Sequence, residues 1–191
     1  MRESIKIKTD DYNFKFRVSG LIIRNNKLLL VDIDDSGFLC LPGGYVELGE
    51  TTEEAVKREL VEEIGKDVIV KKYLGVVENY FINKFGRKMH EISFYYLMDF
   101  THLNIEESNF TLIENDKGHN IKLDFKWINL DELDKFDIRP NFLKELLKNK
   151  KIEFNHFIFN ELNSKKIYNF IYKNIEYINR KIWMFWKKSY V

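Results

Sequence analysis

The chain has 191 residues, 45% of them apolar and 15% aromatic, enough for a domain with its own core, which excludes global disorder. Its single cysteine, Cys40, excludes an internal disulfide, and no apolar run reaches the about 18 residues of a membrane-spanning helix; no secretory leader is expected either, which makes a reducing cytoplasm the expected location. The net charge of +1 conceals a division: residues 148–191 carry ten Lys/Arg against three Asp/Glu, and residues 1–147 carry 21 against 27.

Residues 16–23 and 28–33 are rich in β-formers and flank a polar turn centred on Asn25-Asn26, which predicts a β-hairpin. A loop at 34–37 leads to a short buried strand at 38–41, broken by Pro42-Gly43-Gly44. Residues 51–64 predict a helix. Thr51 caps it, Glu54 completes a capping box, Ala55, Val56, Leu60 and Ile64 form an apolar stripe, and Gly65 stands where a left-handed cap falls. Residues 68–81 read as one or two strands, 89–100 as another, 101–118 as a long polar loop and 121–128 as a further strand. A short helix begins near Asp131, and Pro140 fits the first turn of a helix running to about Lys148. Strands and helices that alternate without a strict repeat point to a mixed α/β domain.

The chemistry concentrates between Gly44 and Gly65. A glycine turn feeds a helix whose third turn carries Glu59, Glu62 and Glu63, at spacings that set the three carboxylates side by side on one face. A solvated acidic face is the ordinary explanation of three such glutamates. Mutual repulsion would make them a fault in a purely structural helix, whereas a hard divalent cation turns it into binding energy. An acidic body suits the recruitment of such cations better than it suits unaided phosphate binding.

With Glu50 and Arg58 at their offsets, this stretch resembles the Nudix box: Gly, five residues, Glu, seven residues, then Arg-Glu-apolar-x-Glu-Glu-x-Gly-apolar. Every specified position matches except the last, where Lys66 replaces an apolar residue that packs the helix end. The looser flanking likeness covers roughly residues 10–150. The resemblance to the Nudix (MutT-like) hydrolase family implies an α/β/α sandwich with a mixed sheet, residues 1–150 forming that domain. It implies Mg²⁺ or Mn²⁺ held by Glu59, Glu62, Glu63 and the carbonyl of Gly43, with Arg58 and Glu50 as an orienting ion pair. Glu59 or Glu62 would take the proton of an attacking water. The activity implied is cleavage of a nucleoside diphosphate linked to another moiety: a nucleotide, a dinucleoside polyphosphate or a nucleotide sugar.

Many members of that family add a carboxylate from outside the box, for which Glu78, Glu91, Glu114 and Asp116 are candidates, though each alone is more often a surface group. Tyr80, Phe81, Tyr95 and Trp127 are candidates to stack a nucleobase, although strand aromatics more often build cores. Arg17 is a candidate to grip a phosphate. The four histidines are not at ligand spacings. The longer signatures of coenzyme A and NADH enzymes are missing, as is the proline that ADP-ribose enzymes tend to carry some sixteen residues past the box. A tyrosine near that place resembles the dinucleoside polyphosphate subgroup instead.

Beyond residue 150 lies a basic, aromatic extension. Ile167, Phe170, Ile171, Ile175, Ile178, Ile182 and Phe185 recur at three- and four-residue steps, which predicts an amphipathic helix over residues 164–188. Packing of its stripe on the body, or on a second copy in a homodimer, is favoured over contact with membrane or nucleic acid. The competing class for the whole chain is a non-catalytic nucleotide-sensing module with a binding tail.

Overall fold

The computed structural model describes residues 3–83, 85–102, 107–116, 118–148, 152 and 154–162; the helix expected over 164–188 lies outside them. Among the described residues eight strands form one mixed sheet: β1 (Lys6–Lys8), β2 (Tyr12–Arg24), β3 (Lys27–Ile33), β4 (Val68–Ile82), β5 (Lys88–Phe100), β6 (Phe110–Asp116), β7 (His119–Asn129) and β8 (His156–Asn160). Their order is β6-β7-β3-β2-β5-β4-β8, with β1 added alongside β2. The β2–β5 and β4–β8 pairs are parallel and the others antiparallel.

Among the described residues one α-helix lies on each face. The stripe of α1 (Thr52–Ile64) buries Ala55, Val56, Leu60 and Ile64 against Val18, Ile22, Tyr96 and Met98. On the other face α2 (Phe142–Lys148) buries Phe142, Leu143 and Leu147 with Leu21, Val77, Tyr95 and Phe159. Alternation along β2 explains how one strand feeds both cores: Val18 and Ile22 point one way and Leu21 the other. Full burial of side chains this size contributes about 1.5–3 kcal/mol each. The sandwich implied by the resemblance is therefore present.

The hairpin forms as expected, with Asn25 and Asn26 both at positive φ (44° and 63°), the geometry that a two-residue turn between twisted strands requires. Beyond two residue pairs, however, β2 and β3 part company. β2 continues beside β5, whereas β3 pairs with β7, and the gap beside β2 is taken by the chain at residues 42–46. That segment forms its own hydrogen bonds to β2, through Gly20 to Pro42, Val18 to Gly44 and Val46 to Phe16.

Three local expectations change. Residues 38–41 make only isolated bridges, Cys40 to Val31 and Leu39 to Ile138; Pro42, which has no N–H to donate, follows at once. The long loop contains β6, a hairpin partner of β7 whose inward Phe110 and Leu112 are masked in sequence by polar neighbours. The helix near Pro140 starts at Phe142, after a cis Arg139–Pro140 bond. Residues 68–82 form one strand, bent by irregularities near Lys72 and Leu74.

Candidate active site

The capping box at Thr51 and Glu54 starts α1, and Gly65, at φ 68°, ends it in a left-handed cap. The last two turns thereby face the segment 42–46 that runs along β2. Arg58 ties the two together. Its Nε and Nη2 donate to the two oxygens of Glu50 at 3.1 and 2.7 Å, and Nη2 also donates to the Tyr45 carbonyl at 2.9 Å. Nη1 donates to Glu59 Oε1 at 2.8 Å and Glu62 Oε2 at 3.1 Å. The Glu50 side chain is only 1% exposed and also accepts from the Glu47 N–H at 2.6 Å. A two-pronged ion pair on a buried carboxylate, with the other guanidinium nitrogens also bonded, is a rigid strut between helix and loop.

Against that strut the backbone of Gly43 and Gly44 meets two glutamates. The Gly43 N–H donates to Glu63 Oε2 at 2.8 Å, and the Gly43 carbonyl accepts from Arg17 Nη2 at 2.8 Å. At Gly44 a β-carbon would lie 2.0 Å from Glu59 Oε2, so only glycine lets the Glu59 carboxylate lie against the chain. Glu63 is 7% exposed, and burial pushes its carboxyl up to about 8; the Gly43 N–H and Arg17 oppose that rise, while Glu59 and Glu114 add to it. Burial also raises Glu59, with Arg58 pulling against it. Glu62, whose side chain is 53% exposed, stands at the outer rim.

Arg17 is the second cation of the site. Besides the Gly43 carbonyl, it faces the buried Glu91 at 3.7 Å and lies over the Tyr45 ring. Burial acts against its charge, but Glu91, with smaller help from Cys40, Tyr45 and Glu63, raises its pKa above the ordinary value.

The structure thus brings together Gly43, Glu50, Arg58, Glu59, Glu62, Glu63, Arg17 and Glu91, with Glu114 of β6 within electrostatic reach of Glu63. It separates others. Tyr80 stacks on His90 at 4.4 Å on the face of the sheet opposite Glu91, and its hydroxyl donates to Glu78, which is also bonded to His156 at 2.6 Å. Trp127 is a core residue, 8% exposed beneath α1, and Tyr95 is buried on the α2 side. The side chain of Asp116 lies outside those described. Asn79 is the direct cross-strand neighbour of Glu91 and shares its face of the sheet.

Among the described residues no three His, Cys, Asp or Glu side chains already form a metal cage. The carboxylates are turned instead toward Arg58 and the Gly43 N–H. In kind the donors fit a hard divalent cation, since they are carboxylate and carbonyl oxygens, and a cation would compensate the ionised form of the buried Glu63.

Curated relatives include the ADP-ribose pyrophosphatase of Methanocaldococcus jannaschii, 50% identical over 62 residues that span 31% of this chain and 37% of that protein. Another is a MutT-like protein of Streptomyces ambofaciens, 43% identical over 63 residues that span 32% of this chain and 41% of the relative. The chain therefore matches less than half the length of these relatives. Among solved structures, an ADP-ribose pyrophosphatase from Streptococcus suis superposes with a TM-score of 0.50 at 19% identity, covering 76% of this chain and 98% of that one. A NUDIX hydrolase from Nitrosomonas europaea does so with a TM-score of 0.50 at 18% identity, covering 81% and 97%. At such identities these show a shared fold. Because the NUDIX domain pattern matches residues 14–149, well over half of the chain, this protein belongs to the Nudix family.

Proposed function

We propose that the protein is a divalent-metal-dependent pyrophosphohydrolase, using Mg²⁺ or Mn²⁺, that cleaves a nucleoside diphosphate linked to another moiety. The observation that carries this reading is the Arg58–Glu50 strut, which holds Glu59 and Glu63 against the Gly43-Gly44 backbone. A structural helix has no use for a buried and a half-buried carboxylate gathered on a glycine turn.

In this reading Glu59, Glu62, Glu63 and the Gly43 carbonyl would hold the metal. When bound, divalent ions neutralise a diphosphate and lower the pKa of an attacking water. Glu59 gives Oε1 to Arg58 and keeps Oε2 at Gly44, so Oε2 is the oxygen this residue offers to a cation or proton. Glu62, more exposed, is the other proton acceptor. Arg58 orients both; it is a positioning residue. Arg17, at the Gly43 carbonyl, can present its guanidinium to a phosphate that reaches the site.

The names of relatives make ADP-ribose the first substrate to try, although this chain carries Glu78-Asn79-Tyr80-Phe81 where a proline is common in such enzymes. The test is a panel of ADP-ribose, nucleotide sugars, dinucleoside polyphosphates and nucleoside triphosphates, each with Mg²⁺ and with Mn²⁺. Metal-dependent release of a nucleoside monophosphate from at least one is expected. Failure across the panel would turn the reading toward a binding module.

A further inference from the structure

The two faces of the sheet are finished differently. In the central strand β5 the side chains toward α2, those of Met89, Glu91, Ser93 and Tyr95, are all buried, whereas His90, Ile92 and Phe94 on the α1 side are only half-buried. Helix α1 covers that side as far as Val18, Tyr96 and Met98. Beyond it the strands set apolar side chains in lateral rows. Ile7 pairs with Phe14, Phe14 with His90 and His90 with Tyr80; in the next row Phe16 pairs with Ile92, and Ile158 lies across Glu78 from it. The rings touch, Phe14 meeting His90 edge-on at 5.3 Å and Phe16 meeting Phe94 at 5.6 Å. A sheet face made for water carries polar residues at its outward positions. This one carries Phe, Ile and Tyr, and Ile7, Ile82 and Ile158 are 57%, 59% and 37% exposed. A contiguous apolar surface of this kind marks a contact.

Where the described chain stops indicates what makes that contact. The edge strand of this face is β8, with Asn160 the register partner of Tyr80. The Glu161 N–H donates to the Tyr80 carbonyl and the Leu162 N–H to Asn160 Oδ1, so the chain leaves from the border of the face. Two residues later, at Ser164, begins the stretch whose Ile167, Phe170, Ile171, Ile175, Ile178 and Ile182 recur at helical steps. As a helix, residues 164–188 reach roughly 37 Å at about 1.5 Å per residue. The five strands from β8 to β1 span roughly 19 Å at their usual spacing, so the stripe is long enough to cross them all. The short tether also decides between occupants. It holds the stripe at an effective concentration on the order of millimolar, which a second copy of the chain does not ordinarily reach.

We propose that residues 164–188 form a helix whose Ile/Phe stripe docks on the α1 side of β1, β2, β5, β4 and β8, next to α1. Arg17 and Glu91 lie on the opposite side of the sheet, so docking leaves the diphosphate site open. The contact holds whether or not the chain is a hydrolase.

Thiol labelling of the full chain tests this. Ile158→Cys places a reporter on the face, and Ile113→Cys places a control on β6, where Ile113 is exposed; the parent protein, with Cys40 alone, gives the background. A maleimide should react with Ile158→Cys at least ~10-fold more slowly than with Ile113→Cys, because the face is reached only when the helix lifts. Adding Ile171→Lys and Ile175→Lys to break the stripe should raise the rate at position 158 by at least ~10-fold and leave position 113 unchanged. Ile92→Cys, in the central strand, is the second reporter in case the cysteine loosens β8, and the same acceleration on breaking the stripe is expected there. Protection that is independent of protein concentration and released by the stripe substitutions would support the docking. A rate at position 158 equal to that of the control, or protection that persists at both reporters when the stripe is broken, would overturn it. Protection that grows with protein concentration would overturn it as well and assign the face to a second copy.

Discussion

Glu63 is where burial and charge conflict most directly. Its carboxyl, ordinarily near 4.5, is pushed up to about 8, mainly because the folded chain hides it from water. The folded protein therefore keeps a proton that the unfolded chain releases. In a chelator, stability should decline as pH rises from about 4.5 to about 8 and level off above, because the native state binds more protons through that window. Denaturant midpoints at several pH values would show the slope, and Glu63→Gln should flatten it; an unchanged slope in that variant would assign it elsewhere. For turnover, Glu59→Gln and Glu63→Gln keep the side-chain shape and remove ligand charge, so each should lower the rate by at least ~100-fold with the fold intact. Near-wild-type rates in both would refute the metal assignment. Asn79 shows the complementary case, an acceptor that destabilises the resting fold by roughly 1–3 kcal/mol unless something donates to it.

For α1 and its loop, the decisive contact is Arg58 to Glu50. Truncation to Arg58→Ala takes both guanidinium bonds from the Glu50 carboxylate, whose side chain is 1% exposed, and the loss should be about 3–5 kcal/mol. The loop bearing Gly43 and Gly44 would then drift from Glu63 and Glu59. Activity should fall and excess Mg²⁺ should restore little of it, because the defect is one of placement; recovery to wild-type rates would contradict the strut. Thr51→Ala is the useful control. It removes only the helix cap, worth about 1 kcal/mol, and should melt lower without a comparable loss of rate.

Across the whole molecule, β8 lies in the basic, aromatic stretch but is hydrogen-bonded into the sheet beside β4, with Phe159 buried against Phe142. A chain ended after Leu162 keeps that strand and should retain metal binding. One ended after Lys150 uncovers Val77 and Phe142 and should melt several degrees lower, in line with removal of a buried aromatic side chain. Calorimetric Mn²⁺ titration and thermal melts of the two truncated chains would check both expectations. Lost metal binding in a folded 1–162 protein would show that residues 163–191 belong to the site.

Local rules made part of this protein legible in advance. The cap at Thr51, the stripe of Ala55, Val56, Leu60 and Ile64, the turn at Gly65 and the hairpin at Asn25-Asn26 all depend on neighbours within a few residues, so sequence alone determined them. The spacing of Glu50, Arg58, Glu59, Glu62 and Glu63 likewise sits in one helix and its lead-in, which is why the family resemblance is legible in the sequence alone. Strand pairing is different. Nothing near Arg17 in the chain says that Glu91 will lie beside it or that Asn79 will face Glu91, since those contacts depend on which distant strands share an edge. Tyr80 and Asn79 are adjacent in sequence, yet alternation sends them to opposite faces, one to stack on His90 and the other to the face that carries Glu91. Trp127, a candidate to stack a base although core was the commoner role for such an aromatic, lies in the core on the α1 face of the sheet. Only the tertiary structure decided these placements, because a residue's face is set by register, and register is set by the burial of the whole sheet.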